Sequence, residues 1–126
     1  MAKRYGIWKK RFKSASGEEK TLYYACSKRG NVIGFKGLSK RVTELSSLSE
    51  GDIMSTLLNV ATVMKWKLID GDTVRLDGIG SFSIAVTSDG FEDPKDITPN
   101  RVRASKVVFI PDRSFVRLIE EIDFCK

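Results

Sequence analysis

Histidine is absent from the 126-residue chain, and its absence removes the most common general base. Without it the sequence offers no ordinary Ser-His or Cys-His nucleophile pair and no imidazole ligand for a metal. The carboxylate pairs Glu92-Asp93 and Glu120-Glu121 are adjacent residues of the kind that are usually just solvated. We therefore expect a protein that is not an enzyme and that uses no metal and no other cofactor.

Cysteine is scarce as well, since the chain has only Cys26 and Cys125 and no CxxC motif. This spacing favours two reduced thiols over a disulfide or a metal site. No run of about 18 apolar residues exists to cross a membrane, and residues 1–6 lack the apolar core of a signal peptide. We expect a cytoplasmic protein that binds no membrane and no small-molecule substrate.

Positive charge, by contrast, is abundant and lies near the start of the chain. The formal net charge is +6. Residues 1–40 hold eleven Lys or Arg against two acids, while residues 41–126 hold eleven against fourteen. A concentrated cationic segment is typical of proteins with polyanionic partners such as nucleic acid. We divide the chain into a basic N-terminal β extension, residues 1–33, and one compact domain, residues 34–126.

The basic segment has the pattern of a β-hairpin. Residues 4–13 and 20–27 are rich in aromatic and β-favouring residues, and the segment 14–19 between them has turn composition. Aromatic side chains in strands more often pack on a core, but they also form stacking platforms for nucleic acid. Both interpretations stay open for the aromatic residues of the hairpin, Trp8, Phe12, Tyr23 and Tyr24.

Two helices are predicted next. Apolar spacings of three and four predict a short helix from near Gly34. Ser49, three residues before Asp52, predicts the capped start of a long helix that Gly71 ends. The apolar residues of the long helix cover more than the single stripe that a surface helix needs. We therefore expect a homodimer in which helices from two chains share one core.

A pair of strands and a glycine bend follow the long helix. Residues 73–79 and 81–88 alternate apolar and polar side chains around Gly78 and Gly80. A dinucleotide-binding loop is disfavoured, because Ser83 stands where a third glycine is required and a strand follows instead of a helix. The two glycines are expected to turn the chain.

The rest of the sequence predicts an arm, a strand and a helix. Residues 88–104 form a polar segment with two prolines that is longer than the usual hairpin connection. Residues 105–110 supply a third strand. Asp112 is expected to cap a last helix. Its apolar face would be made of Phe115, Leu118, Ile119 and Ile122.

Three motifs in order resemble the HU and integration host factor family of bacterial architectural DNA-binding proteins. "LSEGD" at Leu48 to Asp52 stands where that family turns from its first helix to its second. "GDTVRLDGIGSF" at Gly71 to Phe82 resembles its G-x-x-V-x-L-x-G-F-G-x-F signature. "FIPDRSFVRLI" at Phe109 to Ile119 resembles its ending. The N-terminal hairpin is similar to the extension of a longer HU-like subgroup.

The resemblance implies an α+β, IHF-like fold, with helices below a β-saddle and an extended β-arm, in an intertwined dimer that here carries an added N-terminal β-hairpin. It also implies a histone-like, nucleoid-associated protein that binds double-stranded DNA with low sequence specificity as a homodimer; whether it bends DNA is left open. Pro94 corresponds to the proline that wedges between base steps in this family. The candidate DNA-binding residues are Lys9, Lys10, Arg11, Lys13, Arg75, Gly78, Gly80, Ser81, Pro94, Lys95, Arg101, Arg103, Lys106 and Arg113.

Two departures from the family pattern keep alternatives open. Residues 87–103, the arm, hold four acids against three bases, where short family members have strongly basic arms, and Ile110 stands at a basic position of the ending motif. The alternative function is a dimeric structural or protein-interaction module that has lost DNA bending. A third possibility is binding of single-stranded DNA or RNA through the hairpin aromatics.

Overall fold

The computed structural model describes residues 2–126. Contacts within the chain divide these residues into two compact units. The hairpin unit comprises the chain up to Ile33 together with Leu118–Lys126. The helix–sheet unit comprises Gly34–Arg117.

The hairpin unit is built on two long antiparallel strands, as the aromatic and basic pattern predicts. β1 (Lys3–Lys13) pairs with β2 (Glu19–Ser27) without a break in register, so that Trp8 lies opposite Tyr24. Gly17 turns the chain between them with φ of 86°, in the left-handed region that favours glycine. Because the register is continuous, side chains alternate regularly between two faces along the whole hairpin.

Two helices open the helix–sheet unit at the predicted places. The shorter, α1, spans Phe35–Thr43, and the longer, α2, spans Glu50–Ile69. The Ser49 side chain accepts a hydrogen bond from the Asp52 backbone N–H at 3.1 Å, which satisfies one of the free amides of the first turn. Gly71 follows the end of α2 with φ of 94°, as a C-terminal capping glycine does.

A three-stranded antiparallel sheet follows, in the order β3-β4-β5. β3 spans Val74–Leu76, β4 spans Gly80–Ser88 and β5 spans Val102–Pro111. β3 ends earlier than predicted because the chain turns after it, where the Ile79 N–H bonds to the Leu76 carbonyl at 2.9 Å. β5 begins earlier than predicted because residues at the end of the arm also pair with β4.

The predicted last helix is α-helical only in its first part. α3 spans only Arg113–Val116, and a 3-10 segment continues over Arg117–Glu121. Of the four residues predicted for its apolar face, only Phe115 lies in α3, while Leu118 and Ile119 lie in the 3-10 segment and Ile122 follows it. A two-residue strand, β6 (Phe124–Cys125), then pairs in parallel with β1 in the hairpin unit.

Little of the apolar surface is covered within the helix–sheet unit. Among the described residues, Ile53 is the only large apolar side chain that is buried. Buried Ser39 donates to the Phe35 carbonyl at 2.6 Å within α1. On the sheet, Val86 and Val107 are 68% and 61% exposed. The long helix likewise leaves several large apolar side chains exposed, namely Leu58, Val60, Val63, Trp66 and Ile69.

Candidate nucleic-acid interface

The two positions of the bend, Gly78 and Gly80, require glycine for different structural reasons. Gly78 has φ of 79° and open space around it, so it supplies a backbone conformation that other residues rarely adopt. Gly80 is tightly enclosed: a Cβ atom there would overlap the Ile110 carbonyl oxygen and lie 2.7 Å from the Phe109 ring. Gly80 therefore allows β4 and β5 to approach each other closely at the end of the sheet.

The sheet has an inner face toward α2 and an outer face away from it. A groove lined by Val60 and Met64 of α2 is completed by Val74 and Leu76 of β3, which identifies the inner face. Arg75 lies between Val74 and Leu76 on β3. Because side chains alternate along a strand, Arg75 belongs to the outer face. Cross-strand register then adds Ser81, opposite Arg75, to that face.

A β-bulge brings a second and a third cation to the outer face. Arg103 and Lys106 are three residues apart, a spacing that would put them on opposite faces of a regular strand. The register shifts between Ala85 and Val86, so Lys106 pairs with Ala85 and Arg103 pairs with Thr87. Since Ala85 and Thr87 share a face with Ser81, the outer face carries Arg75, Arg103 and Lys106. The bulged residue, Ser105, donates its hydroxyl to the Ala85 carbonyl at 3.1 Å.

Weak ion pairs leave these cations available. Arg75 lies 3.9 Å from Asp77 and Arg103 lies 3.7 Å from Asp89, measured between nitrogen and carboxylate oxygen. The two arginine side chains are 72% and 61% exposed. Long, solvated pairs of this kind contribute little to stability. An incoming phosphate group can therefore compete for both guanidinium groups.

The arm between β4 and β5 folds on itself in two short 3-10 turns, Pro94–Asp96 and Pro99–Arg101. The Asp93 carboxylate accepts from the Lys95 backbone N–H at 3.0 Å, so it caps the first turn directly beside Pro94. Pro94 and Lys95 are both exposed there. The Arg101 side chain, in contrast, contacts other residues of the arm.

Arg101 makes two contacts within the arm. Its guanidinium lies 5.1 Å from the centroid of the Phe91 ring, and Nη1 donates to the Asp96 carbonyl at 3.0 Å. A cation over an aromatic face gains a modest stabilisation. Arg101 was predicted to contact DNA, but in the structure its guanidinium group is already bound to other residues of the arm.

The predicted cations of the hairpin do not form one surface. Lys9, Arg11 and Lys13 alternate onto one face of β1, which we call the Lys9 face, whereas Lys10 belongs to the opposite face with Trp8. Three cations that were not predicted as site residues share the face of Lys10, namely Arg4, Lys20 and Lys28. Alternation along β1 alone identifies Arg4, whereas Lys20 and Lys28 required the register of β1 against β2.

The end of β5 is tied to the glycine bend through Asp112. Its backbone N–H donates to the Ile79 carbonyl at 2.8 Å. The Ser114 hydroxyl donates to the Asp112 carboxylate at 2.6 Å, and this bond, assisted by the Arg113 backbone amide and by the charge of Arg75, lowers the pKa of Asp112. Asp112 precedes α3, but its side chain forms no capping hydrogen bond with the amides further into that helix. Arg113 is exposed beside it.

Three further observations concern the part of the chain that the structure describes. No cluster of three or more His, Cys, Asp or Glu residues there could hold a metal ion. Within residues 2–126, no helix combines the length and the apolar character that crossing a membrane requires. Cys26 and Cys125 are both free and exposed.

The two helices and the antiparallel sheet with its long β4–β5 connection define an α+β domain of the HU and integration host factor class. The chain belongs to the HU-HIG family, described as an HU domain fused to a wHTH, Ig or glycine-rich motif, whose model matches residues 1–126. A solved structure of an Anabaena HU–DNA cocrystal is 20% identical, with a TM-score of 0.46, and the match covers 70% of this chain and 97% of that one. The comparison with curated proteins gave no match.

Proposed function

We propose that the chain is an architectural, histone-like protein that binds double-stranded DNA with low sequence specificity as a homodimer. The observation that carries this proposal is the outer face of the sheet, which carries Arg75 and on which the bulge also places Arg103 and Lys106. No residue of the three strands is acidic. Cations that contact phosphates without reading base edges give affinity and little sequence selectivity. Cytoplasmic, nucleoid-associated localisation is part of the same proposal.

The homodimer is supported by the amount of surface that the chain leaves uncovered. Among the described residues of the helix–sheet unit, Ile53 is the only buried large apolar side chain. On α2 and on the inner face of the sheet, large apolar side chains are 46% to 68% exposed, namely Leu58, Val63, Trp66, Val86 and Val107. Burying that surface against a second copy is the most direct way to stabilise the unit. Light scattering at micromolar protein should give twice the chain mass.

Pro94 has the most suitable position for a bending contact, because it is exposed at the first turn of the arm. In this proposal its ring inserts between base steps from the minor groove. The carboxylates of Glu92 and Asp93 stand beside it and are repelled by phosphate. We therefore propose that the larger share of binding free energy comes from the outer face and the Lys9 face, and the smaller share from the arm.

A gel-shift assay with long duplex DNA tests the proposal. Retardation should weaken as salt rises, with log K falling against log salt by about 0.9 for each phosphate neutralised. Arg103→Gln and Lys106→Gln together should reduce that slope by up to about 1.8 for each chain of the dimer, or about 3.6 for the dimer. Lys65→Gln serves as a matched control, since it removes an exposed positive charge from α2, outside the outer face.

The second candidate function is a dimeric structural or protein-interaction module without DNA bending. The arm's own packing favours it, because Arg101 is held by Phe91 and Asp96 and Arg103 lies near Asp89. Such a module predicts a dimer in light scattering but no retardation of duplex DNA at micromolar protein and low salt. The two measurements together therefore separate the candidates.

A further inference from the structure

One face of the hairpin, which we call the Trp8 face, combines aromatic and cationic side chains. It is defined by alternate residues of β1 and their partners in and just beyond β2. It contains no carboxylate, whereas the Lys9 face includes Glu19 opposite Lys13. The members of the Trp8 face are Arg4, Trp8, Lys10, Phe12, Lys20, Leu22, Tyr24, Cys26 and Lys28.

The aromatic rings of this face form an open platform. Trp8 and Tyr24 are stacked as a cross-strand pair, with ring centroids 5.1 Å apart and planes inclined by 29°. Trp8 is 46% exposed and Tyr24 is 39% exposed, so the pair is not part of a core. Beside the pair stands Gly6, which adds no side chain to the same face. The ring of Phe12, 38% exposed, lies two residue steps beyond Lys10 on the strand.

Cations surround this platform closely. The Lys10 ammonium lies 5.1 Å from the centroid of the Phe12 ring. The side chain of Lys28 reaches back along the face, since its Cε would be 3.2 Å from a Cβ atom placed on Gly6. Arg4 lies next to Lys28 across the strand pair. Four cations, including Lys20, therefore accompany three aromatic rings.

This composition selects among the partners that a flat, open sheet face can bind. A protein surface that covered the face would have to pair or desolvate four cations, and a desolvated cation without a partner is costly. A nucleic acid strand brings phosphates for the cations and flat rings for the aromatic side chains. Bases within a duplex are stacked on each other, so only an unpaired strand can offer them to Trp8 and Tyr24.

We propose that the Trp8 face is a second nucleic-acid site, which binds an unpaired strand. Bases stack on the Trp8–Tyr24 pair and on Phe12, and Arg4, Lys10, Lys20 and Lys28 neutralise the phosphates. The site lies within the hairpin unit and uses residues different from those of the outer face of the sheet. Its failure would therefore leave the proposed binding of duplex DNA intact.

Matched tyrosine variants test the site. Tyr24→Ala removes a ring from the Trp8 face, while Tyr23→Ala removes one from the neighbouring position of the same strand, which is 69% exposed on the opposite face. Affinity for a labelled oligothymidylate of about 16 nucleotides, measured by fluorescence anisotropy, should fall on the order of tenfold for Tyr24→Ala. It should change less than about twofold for Tyr23→Ala, and Tyr24→Phe should retain binding because the ring remains.

Equal losses in Tyr23→Ala and Tyr24→Ala would overturn the proposal, because they would indicate a general electrostatic attraction. Loss of duplex binding in Tyr24→Ala alongside loss of oligothymidylate binding would also count against it, since a damaged hairpin would then explain both. Binding of duplex and unpaired strands with the same affinity, or displacement of the labelled strand by an equal concentration of duplex, would equally refute a separate site.

Tryptophan fluorescence provides a direct readout without disrupting the platform. The chain has two tryptophans, so Trp66→Phe leaves Trp8 as the only one. Base stacking on Trp8 should quench its emission when oligothymidylate is added, and duplex DNA should quench it much less. The same titration with oligouridylate tests whether the site binds an unpaired RNA strand as well as unpaired DNA. No quenching by either unpaired strand would refute the proposal.

Discussion

The hairpin unit and the helix–sheet unit differ in what holds them together and in what they carry. Residues 2–33 and 118–126 hold ten Lys or Arg against five Asp or Glu, whereas residues 34–117 hold twelve against eleven. No described residue of the hairpin unit is buried, while the helix–sheet unit encloses Ile53, Ser39 and Gly80. The net positive charge and the buried positions thus lie in different parts of the chain.

The two units contribute differently to the binding of a polyanion: the hairpin unit supplies most of the net positive charge, and the helix–sheet unit fixes the positions of a few cations. Dispersed cations on an open hairpin attract a polyanion whatever their detailed packing, because the electrostatic contribution depends mainly on their number and exposure. The outer face of the sheet has fewer free cations, but the bulge and the glycine bend fix where they stand. We expect substitutions in the hairpin unit to act mainly on binding, and buried substitutions in the helix–sheet unit to act mainly on folding.

The largest difference in stability between the two units is expected when one glycine in each unit is replaced by alanine. Gly80→Ala places a Cβ against the Ile110 carbonyl and the Phe109 ring. Because the backbone of a paired strand cannot shift without weakening the sheet, we expect the free energy of unfolding to fall by about 3 kcal/mol. Gly6→Ala meets the Lys28 and Cys26 side chains at 3.2 Å, which can rotate away, so we expect less than about 1 kcal/mol. Urea denaturation followed by circular dichroism measures both.

Gly90→Ala is the matched control within the helix–sheet unit. Nothing lies within 4 Å of a Cβ placed there, and the substitution should change the unfolding free energy by no more than about 0.5 kcal/mol. If Gly80→Ala were as mild as Gly90→Ala, the close approach of β4 to β5 would not be the constraint that we infer.

Removal of hairpin charge should have the next largest effect, this time on binding. Neutralising Lys9, Lys10, Arg11 and Lys13 together, each by Gln, should weaken duplex binding on the order of a hundredfold at low salt. It should reduce the salt slope by up to about 3.6 for each chain of the dimer, or about 7.2 for the dimer. Pro94→Ala should weaken it less, because the arm is net acidic. Gel shifts over a range of salt concentrations give both quantities.

The faces of the hairpin allow a sharper version of that experiment. A triple variant that keeps Lys10 removes cations only from the Lys9 face, and it should account for most of the loss in duplex affinity. A larger effect from Pro94→Ala than from the quadruple variant would overturn the proposed division between hairpin and arm.

Local features of the fold were predictable from the sequence because a few neighbouring residues determine them. Ser49 caps α2 and Gly71 follows its end as expected, since a cap depends on residues within one turn. The hairpin strands were predicted to within about two residues, since a turn between two β-rich segments is also a local signal. Family motifs supplied the order of the remaining elements, and the family match covers the whole chain.

Features that depend on pairing between distant segments were not predictable. The bulge opposite Ala85 decides that Arg103 and Lys106 share a face, and nothing in the spacing of β5 alone reveals it. The assignment of Lys20 and Lys28 to the face of Trp8 needed the register of β1 against β2. β6 has two residues, too few to show a period, and the change from α3 to a 3-10 segment after Val116 leaves no local signal that we recognise.

The N-terminal cap of α2 provides a smaller, local test within the helix–sheet unit. Ser49→Ala removes the acceptor of the Asp52 N–H, and we expect it to lower the unfolding free energy by about 1 kcal/mol. Ser47→Ala changes an exposed serine two residues earlier and should stay within about 0.5 kcal/mol. Thermal unfolding of the two variants side by side checks the difference. Equal stabilities would mean that solvent replaces the cap without cost.

The smallest expected effect concerns the pH dependence contributed by Asp112. Because the Ser114 hydroxyl lowers the pKa of Asp112, folding favours the ionised carboxylate, and this contribution is fully present above the ordinary pKa of about 3.9 and is lost as pH falls through the lowered value. Ser114→Ala should move the pKa of Asp112 back toward its ordinary range, which carboxyl-carbon NMR titration can follow. Since Arg75 on the outer face also lowers this pKa, Arg75→Gln should raise it by a smaller amount than Ser114→Ala does. The reverse order would mean that charge on the sheet, and not the short hydroxyl contact, governs this end of β5.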